Sequence, residues 1–263
     1  MSGSFMDEIR KIPPVTRFLC ASSLSVSVSS MMHLVSPYKI VFVKELVTRK
    51  WEVWRVWSSF FFGSSGISYI FEFMMLYRNS NDIESNHFSN RSADYAWQLM
   101  LACGAILALN IPLGSFIHSR PLLLCLAYLS SALAPPGAQT SIFGMVTVPI
   151  KYFPYVLLGF DFLTGGPSAV ATSITGAVVG HLWWWTIFGP DGRGLPGFAA
   201  WGRAPGWVRS IVSDGPQVPG GNLRGTGVHV QQPRNRAAGG GGAAAGGGRG
   251  GYNWGRGNRL GTE

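Results

Sequence analysis

The sequence predicts an all-α membrane protein, with six transmembrane helices followed by a long unstructured tail. Three observations carry this. Charged residues make up 13% of the 263 positions, while the hydrophobic share is an ordinary 47%; a typical soluble domain has roughly 25% charged residues. Several runs are almost free of charge for about 20 residues, the length a helix needs to cross roughly 30 Å of hydrocarbon. The 35 glycines crowd toward the C-terminus, where the apolar pattern stops. An ordinary soluble domain of this length is excluded by the contrast between the two parts.

The first span is expected over 15–35, which holds six serines and Arg17. A secretory signal peptide would need a small-residue cleavage site, and the Ser-rich composition favours a retained helix. Residues 37–54 alternate Ile40, Val41, Phe42, Val43, Leu46, Val47 and Trp51 with Lys39, Lys44, Glu45, Arg49, Lys50 and Glu52. That pattern predicts an amphipathic helix in the interface plane, with Trp and Lys at its margins. The second span covers 54–77 and carries only Arg55 and Glu72; the third, 95–117, carries no charge. The fourth, 122–134, is apolar but only 13 residues long before Pro135-Pro136. The fifth, 143–162, contains Lys151 and Asp161, and the sixth, 167–188, is uncharged.

Six spans leave both termini on one side. Arg10, Lys11 and Arg17 precede the first span, Arg193, Arg203 and Arg209 follow the last, and the loop 78–94 lies with them. Lys/Arg bias places that side in the cytosol. The first loop, with five Lys/Arg, argues the other way, and its interfacial character weakens that objection. Of the net charge of +9, residues 1–190 contribute +3 (12 basic, 9 acidic) and residues 191–263 contribute +6 (9 Arg, 3 acidic). The domain boundary is therefore set between 190 and 191. The Gly/Ala/Arg-rich tail cannot bury enough surface to offset its backbone entropy and is read as a tether. Cys20, Cys103 and Cys125 lie in apolar stretches without metal-ligand or disulfide spacing, and are read as small buried hydrophobes. No cofactor and no metal is expected.

Polar groups inside spans are costly and make functional candidates by default. Here they are Glu72, Asn110, Asp161 and His181. Asp161 sits near a span end where water reaches it, Glu72 is within reach of an interface, and His181 is the deepest. Gly63-Ser64-Ser65-Gly66 fits G-x-S-G, the signature of a serine nucleophile. An intramembrane protease would need Ser65 activated by His181 and an oxyanion hole nearby. The match falls in the second span, whereas rhomboid proteases carry that serine in the fourth, so catalysis is disfavoured. Gly176 and Gly180 form a G-x-x-x-G ridge that lets another helix approach closely. The tail's Arg249-Gly250-Gly251 and Gly255-Arg256-Gly257, beside Tyr252 and Trp254, also permit a weaker reading as an RNA-binding segment.

Several segments together resemble the derlin family, the rhomboid-like pseudoproteases of the endoplasmic reticulum. These are Ile12-Pro13-Pro14-Val15-Thr16-Arg17, Trp54-Arg55 followed by Phe60-Phe61-Phe62-Gly63, Ser92-Ala93-Asp94-Tyr95, Tyr155 through Gly159 and then Gly165-Gly166, and Gly176 to Gly180 with His181. The end of the chain, Asn253-Trp254-Gly255-Arg256-Gly257-Asn258-Arg259-Leu260-Gly261, resembles the SHP box with which some derlins recruit the valosin-containing AAA ATPase. The resemblance implies a six-span rhomboid-like fold without catalysis, in the endoplasmic reticulum membrane, acting in ubiquitin-dependent degradation of misfolded proteins. Its implied partners are that ATPase, a membrane ubiquitin ligase complex, misfolded clients, the lipid bilayer and other copies of the chain. Trp254 and Leu260 would fill apolar pockets, Gly255 and Gly257 would allow close backbone approach, and Arg256 and Arg259 would meet acidic groups. Trp54, Arg55, Gly176, Gly180 and His181 would serve fold and client handling. Glu72 departs from the family, standing where an uncharged polar residue is usual.

Overall fold

The computed structural model describes residues 7–212, apart from 8, 10, 65, 143–145, 191, 193, 196 and 199. The first long helix, α1 (Pro14–Met31), opens on Pro14, whose missing N–H costs nothing at the first helical position. Glu84, from a distant helix, caps it: the carboxylate accepts hydrogen bonds from the Val15 and Thr16 N–H groups at 3.1 and 2.7 Å. A buried anion there satisfies orphan donors and faces the positive end of the helix dipole. The serines explain themselves by position. Ser22, Ser23, Ser27 and Ser30 are buried, while Phe18, Leu24, Val28 and Met31 are exposed. A soluble amphipathic helix shows the reverse. Polar-in and apolar-out is what a lipid solvent selects.

The single interfacial helix expected over 37–54 is two short ones, α2 (Pro37–Ile40) and α3 (Lys44–Lys50), separated by extended residues. Trp51 ends α3 in the left-handed region, with φ 56°. The second stretch is also broken. Its first part is α4 (Trp54–Phe61), and α5 (Ile67–His87) begins only after a loop and continues well past Tyr77. The polar run after Tyr77 is helical because one face of it is internal: Asn79, Ser80, Ile83 and Glu84 are buried. Ser80 Oγ lies 2.9 Å from Thr16 Oγ1 and 3.0 Å from Tyr95 Oη, so α1 and the helix that follows α5 supply its partners.

The third helix, α6 (Ser92–Asn110), stops before the expected Ile117. The following residues form a loop tied down by two backbone bonds, Phe42 N–H to Phe116 C=O and His118 N–H to Ser59 C=O, each 2.9 Å. The short α7 (Ser119–Leu133) is central: Leu122, Leu124, Cys125, Leu126, Ala127 and Leu129 are buried around its whole circumference. Cys125 is thus a core residue, whereas Cys20 and Cys103 are half-buried. The fifth stretch does not begin as helix. An antiparallel hairpin, β1 (Gln139–Ile142) and β2 (Val146–Pro149), precedes it with Gln139 opposite Pro149. A 3₁₀ turn, Ile150–Tyr152, leads into α8 (Phe153–Trp183).

The stretch α8 consists of two helical arms that meet at a kink. Gly166 has φ 69° and ψ −166°, which ordinary side chains disfavour, and Pro167 follows. Asp161 pairs with Arg120 of α7, and Gly176 abuts the adjacent Pro121. In an unbroken helix, residues 161 and 176 would stand about 22 Å apart. The chain therefore folds back at Gly166: the arm 153–165 runs antiparallel to α7 and the arm 167–183 parallel to it, down to Tyr128 beside His181. With α1, α5, α6 and α7, these arms make six long helical segments of alternating direction among the described residues. One end of the bundle, the near end, gathers the start of α1, the end of α5 and the start of α6. The far end gathers α2–α4, the 111–118 loop and Gly166.

By length and apolarity alone, Ser92–Asn110 and Ile150–Phe188 qualify to cross a membrane. After α8, a π-helical turn (Trp184–Phe188) leads to α9 (Gly206–Ile211). The boundary expected at 190 thus falls too early, because ordered contacts continue at least to Val212. Ala204 N–H, for example, donates to Asp94 Oδ1 at 2.8 Å. The remaining tail, with Trp254, Gly255, Arg256, Gly257, Arg259 and Leu260, lies outside the described residues.

Candidate functional site

Two of the charged residues inside the predicted spans, Glu72 and Asp161, meet at the far end. Arg120, in the first turn of α7, reaches Glu72 of α5 at 2.8 Å and Asp161 of α8 at 2.9 Å. Glu72 also accepts from the Ser64 N–H at 3.0 Å and the Ser64 hydroxyl at 2.8 Å. Asp161 is buried rather than water-exposed at a span end, and Glu72 is held rather than reaching an interface. A cavity of about 90 Å³ lies among these groups, lined besides by Phe71, Met75, Leu124, Val156 and Phe160. The chain thus places two carboxylates and one guanidinium around a partly apolar cleft between α5 and the first arm of α8. Arg120 stacks over Phe160 at 5.8 Å, which adds an attraction to the ring face. Sequence reasoning singled out both acids and missed Arg120, because pairing across three helices leaves no trace in linear spacing.

Arg55 is buried, and its guanidinium donates to the carbonyls of Tyr38 at 2.6 Å and Val41 at 3.1 Å and pairs with Glu52. It ties the first loop to α4, satisfying carbonyls that short helices leave open. Its neighbour Trp54 is exposed, as are Trp51 and Trp57. Near this loop lies His118, another residue the sequence did not flag. It is fully buried, its Nδ1 is 3.2 Å from Ser59 Oγ, and Phe42 and Phe60 pack on its ring. Its Nε2 has no hydrogen-bond partner among the described residues. Burial pushes the His118 pKa down to about 4, since charging the ring there has nothing to compensate it.

The glycine ridge faces α7. A Cβ on Gly176 would fall inside the Pro121 carbonyl, and one on Gly180 would sit 2.8 Å from the Cys125 carbonyl. Backbone meets backbone here, which any side chain forbids. His181, in the last turn of α8, is exposed on its outer surface rather than deep in the bundle, and its Nδ1 is 2.8 Å from Tyr128 Oη. Asn110 is fully buried and donates to Thr175 Oγ1 at 2.7 Å and to the Ile106 carbonyl at 3.0 Å.

These positions bear on the G-x-S-G sequence. Ser65 lies outside the described residues. Its neighbour Ser64 is held by Glu72 at the level of Arg120, whereas His181 sits at the level of Tyr128. Eight residues along α7 separate those levels, about 12 Å. A nucleophile and its base need hydrogen-bond reach, and α7 stands as a ruler that keeps Ser64 and His181 apart.

The near end holds a second charged cluster. Asp94, almost fully buried, accepts from Arg91 at 2.9 Å, from the Ala204 N–H at 2.8 Å, and faces Arg209 at 3.8 Å. Gln98 accepts from Trp183 Nε1 at 2.8 Å and donates to the Gly202 carbonyl at 2.7 Å. The segment after the last long helix is thereby clasped to the first turns of α6.

Polar groups paired inside, apolar side chains outside and alternating helices define a multi-helix membrane protein. Residues 12–195 match the Der1-like family. The chain belongs to that family, the derlins. It is 28% identical to Derlin-1 of Homo sapiens over 98% of each chain. It is also 28% identical to Derlin-1 of Arabidopsis thaliana, over 77% of this chain and 75% of that one. With Derlin-1.2 of Zea mays it shares 27% identity, over 78% of this chain and 83% of the relative.

Proposed function

We propose that the chain is a non-catalytic retrotranslocation factor of the endoplasmic reticulum membrane. In this reading the six helical segments span the bilayer, with the near end and both termini in the cytosol. Misfolded proteins engage the helical domain, are ubiquitinated by an associated ligase complex, and are extracted by the valosin-containing AAA ATPase recruited through Trp254 to Leu260. The observation that carries it is the family match over the whole helical domain, joined to relatedness with human Derlin-1 over nearly the full chain. Short helices support a role in moving polypeptide through lipid. The 15 residues of α7 extend about 22 Å, and the arm 153–165 about 20 Å, against roughly 30 Å of hydrocarbon. Such mismatch favours local thinning of the bilayer. Separation of Ser64 from His181 speaks against the protease reading.

The test is capture of the ATPase by the full-length chain in detergent, wild type beside Leu260→Ala. Capture lost in Leu260→Ala ties the membrane domain to the extraction motor. Equal capture by both, or none by either, removes the tail from the mechanism. Cleavage of a reconstituted transmembrane substrate that disappears in Ser65→Ala would instead establish the protease.

A further inference from the structure

The described residues between 194 and 212 are held firmly, yet they present apolar side chains outward. Val208 is buried against Ala93 and Ala204, Trp97 Nε1 donates to the Trp201 carbonyl at 2.9 Å, and Gln98 holds Gly202. A side chain on Gly202 would press on Ile187 at 2.9 Å and Gln98 at 3.2 Å, so this close docking is built in. In spite of these contacts, Phe198 is 49% exposed, Trp201 68%, Trp207 53% and Ile211 73%. Arg203 and Arg209 are exposed beside them. Large apolar side chains fixed on an ordered surface call for an apolar environment.

The surroundings identify that environment. The aromatic surface is continuous with the outer face of α6, where Met100 and Leu101 are exposed immediately beyond Trp97. Trp207 packs edge-on against Trp97, with ring centroids 6.1 Å apart. Exposed Trp185 lies in the turn that finishes the last long helix at the same end. Indole rings gathered where spans end, with arginines among them, match the headgroup layer of a bilayer.

We infer that the described residues of 198–211 form an aromatic foot resting in the headgroup layer of the membrane that α6 crosses, with Phe198, Trp201, Trp207 and Ile211 at the acyl boundary and Arg203 and Arg209 toward lipid phosphates. This inference rests on the reading of α6 as membrane-spanning. The foot would clamp the cytosolic end of the bundle against the bilayer surface and set where the tail leaves it.

Photo-crosslinking of the full chain in phosphatidylcholine nanodiscs and in native membranes tests it, with benzoylphenylalanine placed at Trp201, at Trp207 or, as the control, at Met100. Lipid adducts at all three sites are expected. Adducts at Met100 alone overturn the foot and leave the spanning reading intact. Loss of the Met100 adduct removes the spanning reading, and the foot with it. Protein adducts at Trp201 and Trp207 in native membranes, in place of lipid ones, overturn the foot by showing a polypeptide on that surface.

Discussion

The two charged clusters are opposites. At the far end one guanidinium, Arg120, serves two carboxylates, Glu72 and Asp161; at the near end one carboxylate, Asp94, serves two guanidiniums, Arg91 and Arg209. The first joins three helices inside the bundle. The second clasps the segment after the last helix to the start of α6. In each, the lone member neutralises the pair, and its removal leaves like charges facing each other, largely buried at the far end and partly exposed at the near end. A member of the pair is more easily spared, since the remaining partners still balance. Local net charge, rather than the number of ion pairs, sets which residue the fold depends on.

The largest effect is expected for Arg120→Leu, which strands two buried carboxylates between α5, α7 and α8. Loss of about 3 kcal/mol, in the range for breaking a buried pair, should appear as a lower unfolding midpoint in detergent. An unchanged midpoint would remove Arg120 from its central place.

Acid provides the next test, through His118 at the same end. Its folded pKa of about 4 lies below the ordinary 6.5, so the unfolded chain binds the proton more tightly. Stability is then full above pH 6.5 and falls as pH drops toward 4, by up to ~3 kcal/mol. His118→Gln should flatten that part of the stability-versus-pH curve. An identical slope in the variant would assign the acid sensitivity elsewhere.

Asp94→Asn retains an acceptor for the Ala204 N–H but leaves Arg91 and Arg209 without a counter-charge. It should cost about 1 kcal/mol and act locally, as faster hydrogen exchange in residues 204–212 with the far end unchanged. Uniform acceleration through α7 would show that the two clusters are coupled. The smallest effect is expected for Glu72→Gln. An amide still accepts from Ser64, and Arg120 keeps Asp161, so the change should stay within ~0.5 kcal/mol. A loss equal to that of Arg120→Leu would break the comparison outright.

Much of the helical domain was legible in advance. The apolar runs located each long helical segment, because hydrocarbon tolerates only helices whose backbone bonds are made within the segment. The glycines of the second arm of α8 announced a close helix contact correctly, because absence of a side chain has one dominant use in such a helix. Other features were hidden by kind. Asn79, Ser80 and Glu84 read as loop residues, yet they continue α5, since their partners Ser130, Thr16 and Tyr95 arrive from other helices. His181 looked deepest from its place along the span, but depth along an axis does not say which face points inward. The near-end clasp was invisible because its apolar residues are scattered among Gly and Pro, without a helical period.

The sequence by itself determined a helical membrane protein of the derlin kind, the order of its segments, and the polar residues that had to find partners. Those properties follow from composition and local pattern, which lipid and backbone chemistry constrain residue by residue. Only the tertiary structure decided which partners were found: Arg120 between Glu72 and Asp161, Glu84 at the start of α1, and residues 194–212 folded back on α6. Pairings of that sort depend on which faces meet when helices pack, and the same buried charge is satisfied equally well by any counter-charge the packing brings within reach.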